Sequence, residues 1–160
     1  RGGKYSLYEA GTRVPFITYW KGQIEPGVSD AVVSQLDLFS SIAELVGSEA
    51  RSADSKELLN VFMGKSDQGR SELILQATGR TALRKGDWIL IPPYQGPAVA
   101  RNVNIELGNA PEYQLYNLGS DLGQEHNLAS EEADKLKEMI AAYERIRGLT
   151  EPVSGEVELK

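Results

Sequence analysis

The segment Val14–Trp20 constrains the fold more than any other part of the chain, because almost every residue in it is apolar. An unbroken run of β-branched and aromatic residues favours a strand that is buried on both faces, as in a parallel sheet covered by helices. Pro15 fits such a strand only near its start. One strand cannot cover both of its own faces, so the sequence predicts a fragment of a longer protein, the parent protein.

A short helix is predicted to follow, from Asp37 to Gly47. Asp37 is interpreted as its N-cap, because an aspartate oxygen can accept the free amides of a first turn. Gly47 stands where a left-handed residue often ends a helix. Another helical turn is expected over residues 56–63, ended by Gly64. The apolar residues of the first helix recur at helical spacing and are expected to be buried: Leu38, Phe39, Ile42, Leu45 and Val46.

The second half of the chain has the pattern of short strands followed by one helix. Residues 94–111 are rich in Gly, Pro, Asn and Gln and are predicted to form a long loop. A helix is predicted from Ser130, with Met139 beside its apolar stripe of Ala133, Leu136, Ile140 and Tyr143. The predicted strands are 73–76, 81–84, 88–91 and 113–116, the middle two forming a hairpin.

The predicted fold class is α+β, a small antiparallel β-sheet packed against a C-terminal helix. A strand and a helix of an incomplete α/β domain precede it. The expected division is a remnant of that large domain at 1–65, the small subdomain at 66–148 and a polar tail at 149–160.

Composition and charge exclude several classes of function. The 160 residues carry a formal net charge of -6, which disfavours nucleic-acid binding because acidic surfaces repel phosphate backbones. No apolar run reaches the roughly 20 residues of a membrane helix. No apolar region follows residues 1–5, so the sequence predicts no signal peptide. The chain has no Cys, so it cannot form disulfides or zinc-thiolate sites by itself.

Three groups of short motifs resemble the C-terminal part of the sulfatase family, in the alkaline-phosphatase-like superfamily. The first group is Gly3-Lys4, Tyr8–Gly11, Arg13–Phe16 and Trp20–Gly22. The second is Val33–Leu38, running to Gly47. The third is Ala82–Trp88, Gln114–Leu118 and Glu125–Ala129. The resemblance covers residues 1 to about 147, with departures such as Ala10 for the usual Gly and Lys21 for the usual Pro.

The resemblance implies that the parent protein hydrolyses sulfate monoesters of sugars, glycosaminoglycan units or aryl groups. The family uses a formylglycine nucleophile, made within a Cys/Ser-x-Pro-x-Arg motif, and usually calcium. That motif does not occur in the sequence, and no metal ligand is assigned to it. Nucleophile and metal are therefore expected in a missing N-terminal part, and this chain alone is expected to be inactive. Periplasmic, extracellular or lysosomal location is suggested by the family only.

Lys4 matches the family lysine that contacts the sulfate group. An ammonium fixed there would stabilise the charge that grows on the leaving oxygen as the S–O bond breaks. Arg84 and Lys85 are candidates for contact with an anionic substrate at the rim of the site. Glu9 and Arg13 are interpreted as residues that fix the loop rather than as an acid and a cation in the site.

Other conspicuous side chains receive structural interpretations. His126, the only His, is expected at the surface, since no second ligand lies at metal-binding spacing. The aromatic residues Trp88, Tyr113 and Tyr116 are expected in the core beside the sheet.

Two alternative functions remain open at this point. The parent protein could hydrolyse phosphate or phosphonate esters, because enzymes of the superfamily share this scaffold. The chain could instead be a stand-alone binding or assembly module, which would require residues 14–20 to be covered. An uncovered strand of that composition could pair with a second copy to give a dimer.

Overall fold

The computed structural model describes residues 1–148, and in it the chain forms two compact units. One unit combines Arg1–Val14 with the chain from Ile74 onward, and the other is Pro15–Leu73. The predicted tail at 149–160 lies outside the described residues. The predicted domain boundary between residues 65 and 66 stays a prediction about the parent protein.

The described residues form helices and strands of modest length. The helices are α1 (Glu9–Thr12), α2 (Asp37–Leu45), α3 (Leu59–Phe62) and α4 (Ala133–Arg147). The strands are β1 (Glu72–Ala77), β2 (Arg80–Lys85), β3 (Trp88–Ile91), β4 (Val99–Ala100), β5 (Ile105–Glu106) and β6 (Gln114–Asn117). The predicted small sheet with a C-terminal helix is thereby confirmed.

A four-stranded sheet in the order β1-β2-β3-β6 is the centre of the first unit. Strand β3 runs antiparallel to β2 and to β6, and the predicted hairpin is confirmed with Lys85 opposite Trp88. Gly86, at φ 58°, takes the left-handed conformation that a two-residue hairpin turn needs. The predicted loop over 94–111 is partly wrong, because β4 and β5 pair within it as a short antiparallel ribbon.

Alternate residues of the sheet pack against covers on its two faces. Leu90 packs on one face with Met139 and Tyr143 of α4. Ile89 packs on the other face with Leu7 and Tyr8, from the start of the chain. The sequence predicts the first cover from helical spacing, although Ala133 is exposed instead of buried. It does not predict the second, because Leu7 and Tyr8 have no periodic apolar neighbours.

The predicted buried strand at residues 14–20 is wrong for this structure. Residues 13–20 form no strand and are exposed, with Ile17 at 88% and Tyr19 at 83% of full exposure. A strand forms only when neighbouring strands accept and donate its backbone hydrogen bonds. The described part of Pro15–Leu73 supplies no such neighbour, so the apolar run lies open.

Helix α2 forms where predicted, but its expected burial is wrong. Gly47, at φ 70°, lies just past the end of the helix as expected. Phe39, Ile42 and Leu45 remain about half exposed. This helix therefore shows an apolar face that the described residues of its own unit leave uncovered.

Asp37 is not the N-cap of α2, although it lies at the start of the helix. Leu36 holds the N-cap position, and Asp37 is the first helical residue. Its carboxylate accepts the amide of Ser34, the amide of Lys56 and the guanidinium of Arg70. These bonds tie three separate segments of Pro15–Leu73 together, which a cap would not do.

Candidate functional site

Lys4 lies in a tight turn near the start of the chain. The amide of Ser6 donates to the carbonyl of Gly3 over 2.9 Å, which closes a four-residue β-turn around Lys4 and Tyr5. Tyr5 has φ 77°, whereas Lys4 is not among the residues of positive φ, so the turn has the pattern of type II. We call Gly3–Ser6 the lysine turn.

A tyrosine at the third position of this turn is strained. Type II turns favour Gly there, because a side chain disfavours positive φ. Such backbone strain costs on the order of 1–3 kcal/mol and persists where the surroundings hold it in place. The ammonium of Lys4 lies 5.0 Å from the centroid of the Tyr5 ring, and both side chains are exposed.

Gly11 supports the lysine turn from within the first unit. A Cβ atom at this position would lie 2.3 Å from the carbonyl oxygen of Ser6 and 2.5 Å from that of Gly3. No side chain fits so close to two backbone oxygens. The glycine of the motif is thus required because two backbone segments pack directly against each other.

Arg80, at the start of β2, holds the other side of the lysine turn. Its Nη2 donates to the carbonyl of Tyr5 over 2.9 Å, and its Nη1 donates to the carbonyl of Leu107 over 3.1 Å. The guanidinium also bonds the side chains of Thr78 and Asn109. Burial lowers the pKa of Arg80 from its ordinary value, although a guanidinium stays charged at any physiological pH.

Glu9 holds a small charged cluster beside the sheet. Its carboxylate is nearly buried and lies 3.4 Å from Nη1 of Arg13 and 3.7 Å from Nη1 of Arg84. Its own amide donates to the side-chain oxygen of Gln124 over 2.6 Å. The interpretation of Glu9 and Arg13 as a loop-fixing pair agrees with these contacts.

The structure brings Arg84 into that cluster and engages Lys85 elsewhere. Lys85 lies 2.8 Å from the carboxylate of Glu138 on α4. Hydrogen bonds from Lys135 and Lys85 lower the pKa of Glu138 to about 2. Both rim candidates thus have ion partners within the first unit, and their contact with substrate stays a prediction.

Arg1 and Gln124 make contacts beside the lysine turn that the sequence did not indicate. The guanidinium of Arg1 binds both carboxylate oxygens of Glu106 over 2.8 Å and lies 4.5 Å from the centroid of the Tyr8 ring. It also donates to the carbonyl of Gln124 over 2.9 Å. Glu106 and Gln124 each lie more than a hundred positions after Arg1, so no local pattern could have paired them with it.

His126 and Asn127 have different roles in the last motif of the resemblance. The His126 side chain is 82% exposed and lies 3.8 Å from Asp121, as a surface residue would. Asn127 accepts the amides of Leu115 and Ala129 through its side-chain oxygen. The asparagine of this motif therefore fastens β6, and its contribution is structural.

The aromatic residues lie beside the sheet as expected. Tyr116 is buried, and its hydroxyl donates to Gln114 over 2.9 Å. Trp88 and Tyr113 are partly buried against the cluster under α4. Burial raises the pKa of Tyr116 above its ordinary value. Tyr116 is thus a core residue, Trp88 and Tyr113 lie at the edge of the core, and none of the three lies in the lysine turn.

Residues 1–148 contain no group of three or more His, Cys, Asp or Glu side chains that could hold a metal ion. In that same part of the chain, no helix has both the length and the apolar character needed to cross a bilayer. Lys4 is the catalytic residue that the sequence predicts, and in the structure it is exposed in the lysine turn.

The sequence around the lysine turn is similar to that of known proteins. A family model described as Sulfatase matches residues 1–48. An N-acetylgalactosamine-6-O-sulfatase of Bacteroides thetaiotaomicron is 38% identical over 151 residues, covering 92% of this chain and 30% of that protein. Human Arylsulfatase A is 27% identical over 164 residues, covering 92% and 32%.

Solved structures give the same result for the fold. A Bacteroides thetaiotaomicron structure, described in connection with the metabolism of multiple glycosaminoglycans, superposes with a TM-score of 0.88 at 36% identity. It covers 92% of this chain and 32% of its own. A Pseudoalteromonas sp. sulfatase shares the fold with a TM-score of 0.75 at 23% identity, covering 93% and 32%. The chain thus spans about a third of the length of the proteins it matches.

Proposed function

We propose that this chain, which belongs to the sulfatase family, forms the C-terminal part of an enzyme that hydrolyses sulfate monoesters. The observation that carries the proposal is the family match over residues 1–48, since that range contains Lys4 and its turn. The relatives of high coverage, including one that is 38% identical, are named as sulfatases.

Lys4 is the residue of this chain that acts in the proposed reaction. A sulfate ester develops negative charge on the leaving oxygen as the S–O bond breaks. An ammonium held near that oxygen stabilises the transition state more than the bound substrate, and so accelerates the reaction. The exposed side chain of Lys4 and the closed turn that bears it suit this role.

Residues 1–148 contain no cluster of side chains that fits a calcium ion. The sequence also lacks a Cys or Ser followed by x-Pro-x-Arg, where formylglycine would be made. We therefore place the calcium ligands and the formylglycine in another part of the parent protein. By this account the chain is inactive alone.

The uncovered apolar residues of Pro15–Leu73 support a partner in the same protein. Residues 15–20 and the face of α2 with Ile42 and Leu45 are exposed within the same compact unit. The proposed partner is the rest of the parent protein. This exposure argues against a stand-alone module, which would cover residues 14–20 itself. Pairing of those residues in a dimer would be the competing result in a measurement of oligomeric state.

The test uses the full-length parent protein with paired ester substrates. One relative is named for a sulfated sugar, so N-acetylgalactosamine 6-sulfate is assayed with 4-nitrophenyl sulfate, and 4-nitrophenyl phosphate serves as the rival. We expect a higher kcat/KM for a sulfate ester. Lys4→Ala should lower kcat about 10²- to 10³-fold, as for loss of one transition-state donor.

Lys137→Ala is the matched control, because that lysine is 78% exposed and pairs with Asp134 on the same helix, α4. It should leave kcat unchanged. A higher kcat/KM for the phosphate ester would show that the parent protein is a phosphate-ester hydrolase and would refute the proposed sulfatase activity. Full activity of Lys4→Ala would remove Lys4 from the reaction.

A further inference from the structure

We infer that Arg80 is a positioning residue, which holds the lysine turn in the conformation that presents Lys4 to the substrate. The inference rests on the proposed function for its effect on catalysis. It rests on geometry alone for its effect on the turn.

The first observation is the direction of the bonds from Arg80. One arm of the guanidinium reaches the carbonyl of Tyr5, the residue directly after Lys4, over 2.9 Å. The other arm reaches the carbonyl of Leu107 over 3.1 Å. Leu107 in turn accepts the amide of Leu7 over 3.2 Å. Arg80 thus holds residues 5–7 at both ends, directly at the carbonyl of Tyr5 and, through the carbonyl of Leu107, at the amide of Leu7.

The second observation is the strain in the turn itself. Tyr5 holds φ 77°, a conformation that a residue with a side chain adopts at a cost. The carbonyl that receives Arg80 belongs to this strained residue. Loss of that bond would let the backbone of Tyr5 relax toward negative φ, and the peptide between Lys4 and Tyr5 would rotate. The ammonium of Lys4 would then move.

The third observation is the partner set of Arg80. The guanidinium bonds carbonyl oxygens and the polar side chains of Thr78 and Asn109, and no carboxylate is among its bonds in the described residues. An arginine used for charge pairing would face a carboxylate, as Arg1 faces Glu106. A planar fork with fixed donors is suited to orienting backbone instead.

The catalytic test is a double-mutant cycle in the full-length parent protein. Arg80→Ala should lower kcat for the sulfate ester about tenfold to a hundredfold with a smaller change in KM, because a misplacement of about 1 Å costs that much. In the Lys4→Ala background the same change should have no further effect on kcat. An equal loss in both backgrounds would show that Arg80 acts independently of Lys4, and would overturn the inference.

Arg101→Ala is the matched control, since Arg101 is an exposed arginine between β4 and β5. It should leave kcat unchanged. Arg80→Lys serves if Arg80→Ala does not fold, because one ammonium can reach the Tyr5 carbonyl but cannot hold both carbonyls. We expect a kcat between those of the wild type and Lys4→Ala, again with no loss in the Lys4→Ala background. An unchanged kcat would overturn the inference.

Hydrogen exchange measures the turn without any activity. In Arg80→Ala, and to a smaller degree in Arg80→Lys, the amides of Ser6 and Leu7 should exchange at least about tenfold faster than in the wild type, because local opening becomes easier. Arg101→Ala should leave them unchanged. Unchanged exchange in the Arg80 variants would overturn the inference even if the parent protein proved to act on another ester. If the wild-type parent protein does not hydrolyse the sulfate esters, but the Arg80 variants still exchange faster than the wild type, only the proposed function is refuted.

Discussion

Replacing Asp37 with alanine should release the structure around α2, because the carboxylate is fully buried and holds three segments. The change would leave the guanidinium of Arg70, whose side chain is only 10% exposed, without its charge partner. It would also remove the acceptor of the Ser34 and Lys56 amides. Removing one partner of a buried pair costs about 3–5 kcal/mol.

Hydrogen exchange on the full-length parent protein gives the local free energy of opening. A loss of about 3 kcal/mol corresponds to roughly hundredfold faster exchange, at 1.36 kcal/mol for each factor of ten. We expect this change for amides in α2 and for Lys56. Amides of β3, in the other compact unit, should exchange as before.

Asp67→Ala is the control for this experiment, because Asp67 is an exposed aspartate of the same unit that accepts only the Ser29 hydroxyl in a side-chain bond. Surface changes of this kind stay within about 0.5 kcal/mol. Replacing Asp37 and Arg70 together by leucine and methionine should recover part of the loss, since no charge is then left buried. If Asp37→Ala has no larger effect than Asp67→Ala, the buried pair does not hold α2.

The same carboxylate gives the sign of the acid dependence. Burial alone would raise the pKa of Asp37, but the hydrogen bonds of Arg70, Lys56 and Ser34 outweigh it and lower the pKa below the ordinary value. A lowered folded-state pKa means that the stabilisation is present above the ordinary aspartate range and is lost as pH falls below it. Exchange in α2, corrected for intrinsic rates, should therefore rise at acid pH in the wild type more than in Asp37→Asn.

Two further predictions concern the unit built on the sheet. Asn127→Ala should free the amide of Leu115 and lower the free energy of unfolding by about 1–3 kcal/mol, because a buried donor is left unsatisfied. The amide of Leu115 should then exchange faster than in the exposed control Asn102→Ala, and equal rates would contradict the prediction. Burial raises the pKa of Tyr143 to about 12, so its stabilisation is present below pH 10 and is lost as pH rises toward 12. Tyr143→Phe should flatten the alkaline unfolding curve followed by circular dichroism, and an unchanged curve would exclude Tyr143 as the responsible group.

The sheet was predictable from sequence because its signals are local. Alternation along Trp88–Ile91, the turn at Gly86 and the helical spacing of α4 each lie within a few residues. The strand expected at 14–20 failed for a related reason. Its composition correctly indicates a need for cover, but a strand also requires a neighbour, and sequence composition does not say whether one is present.

The candidate site was predictable only in part. Lys4 followed from a resemblance in the surrounding motif, whereas Arg80, Gln124 and Arg1 are brought to the turn or its surroundings by the fold. Arg80 lies 75 positions from the Tyr5 carbonyl that it binds. Its sequence context, after Gly79 at the start of a strand, resembles any hairpin, so periodicity and spacing carry no signal for such a contact.

The division of the first unit into Arg1–Val14 and the chain from Ile74 onward has a consequence for synthesis of the protein. On the ribosome, Lys4 emerges long before β2 and Gln124, so its turn cannot mature until the later segment has been translated. Contacts between such distant residues also form slowly during folding. A premature stop codon within residues 15–73 would give a product that contains Lys4 but lacks Arg80 and the sheet.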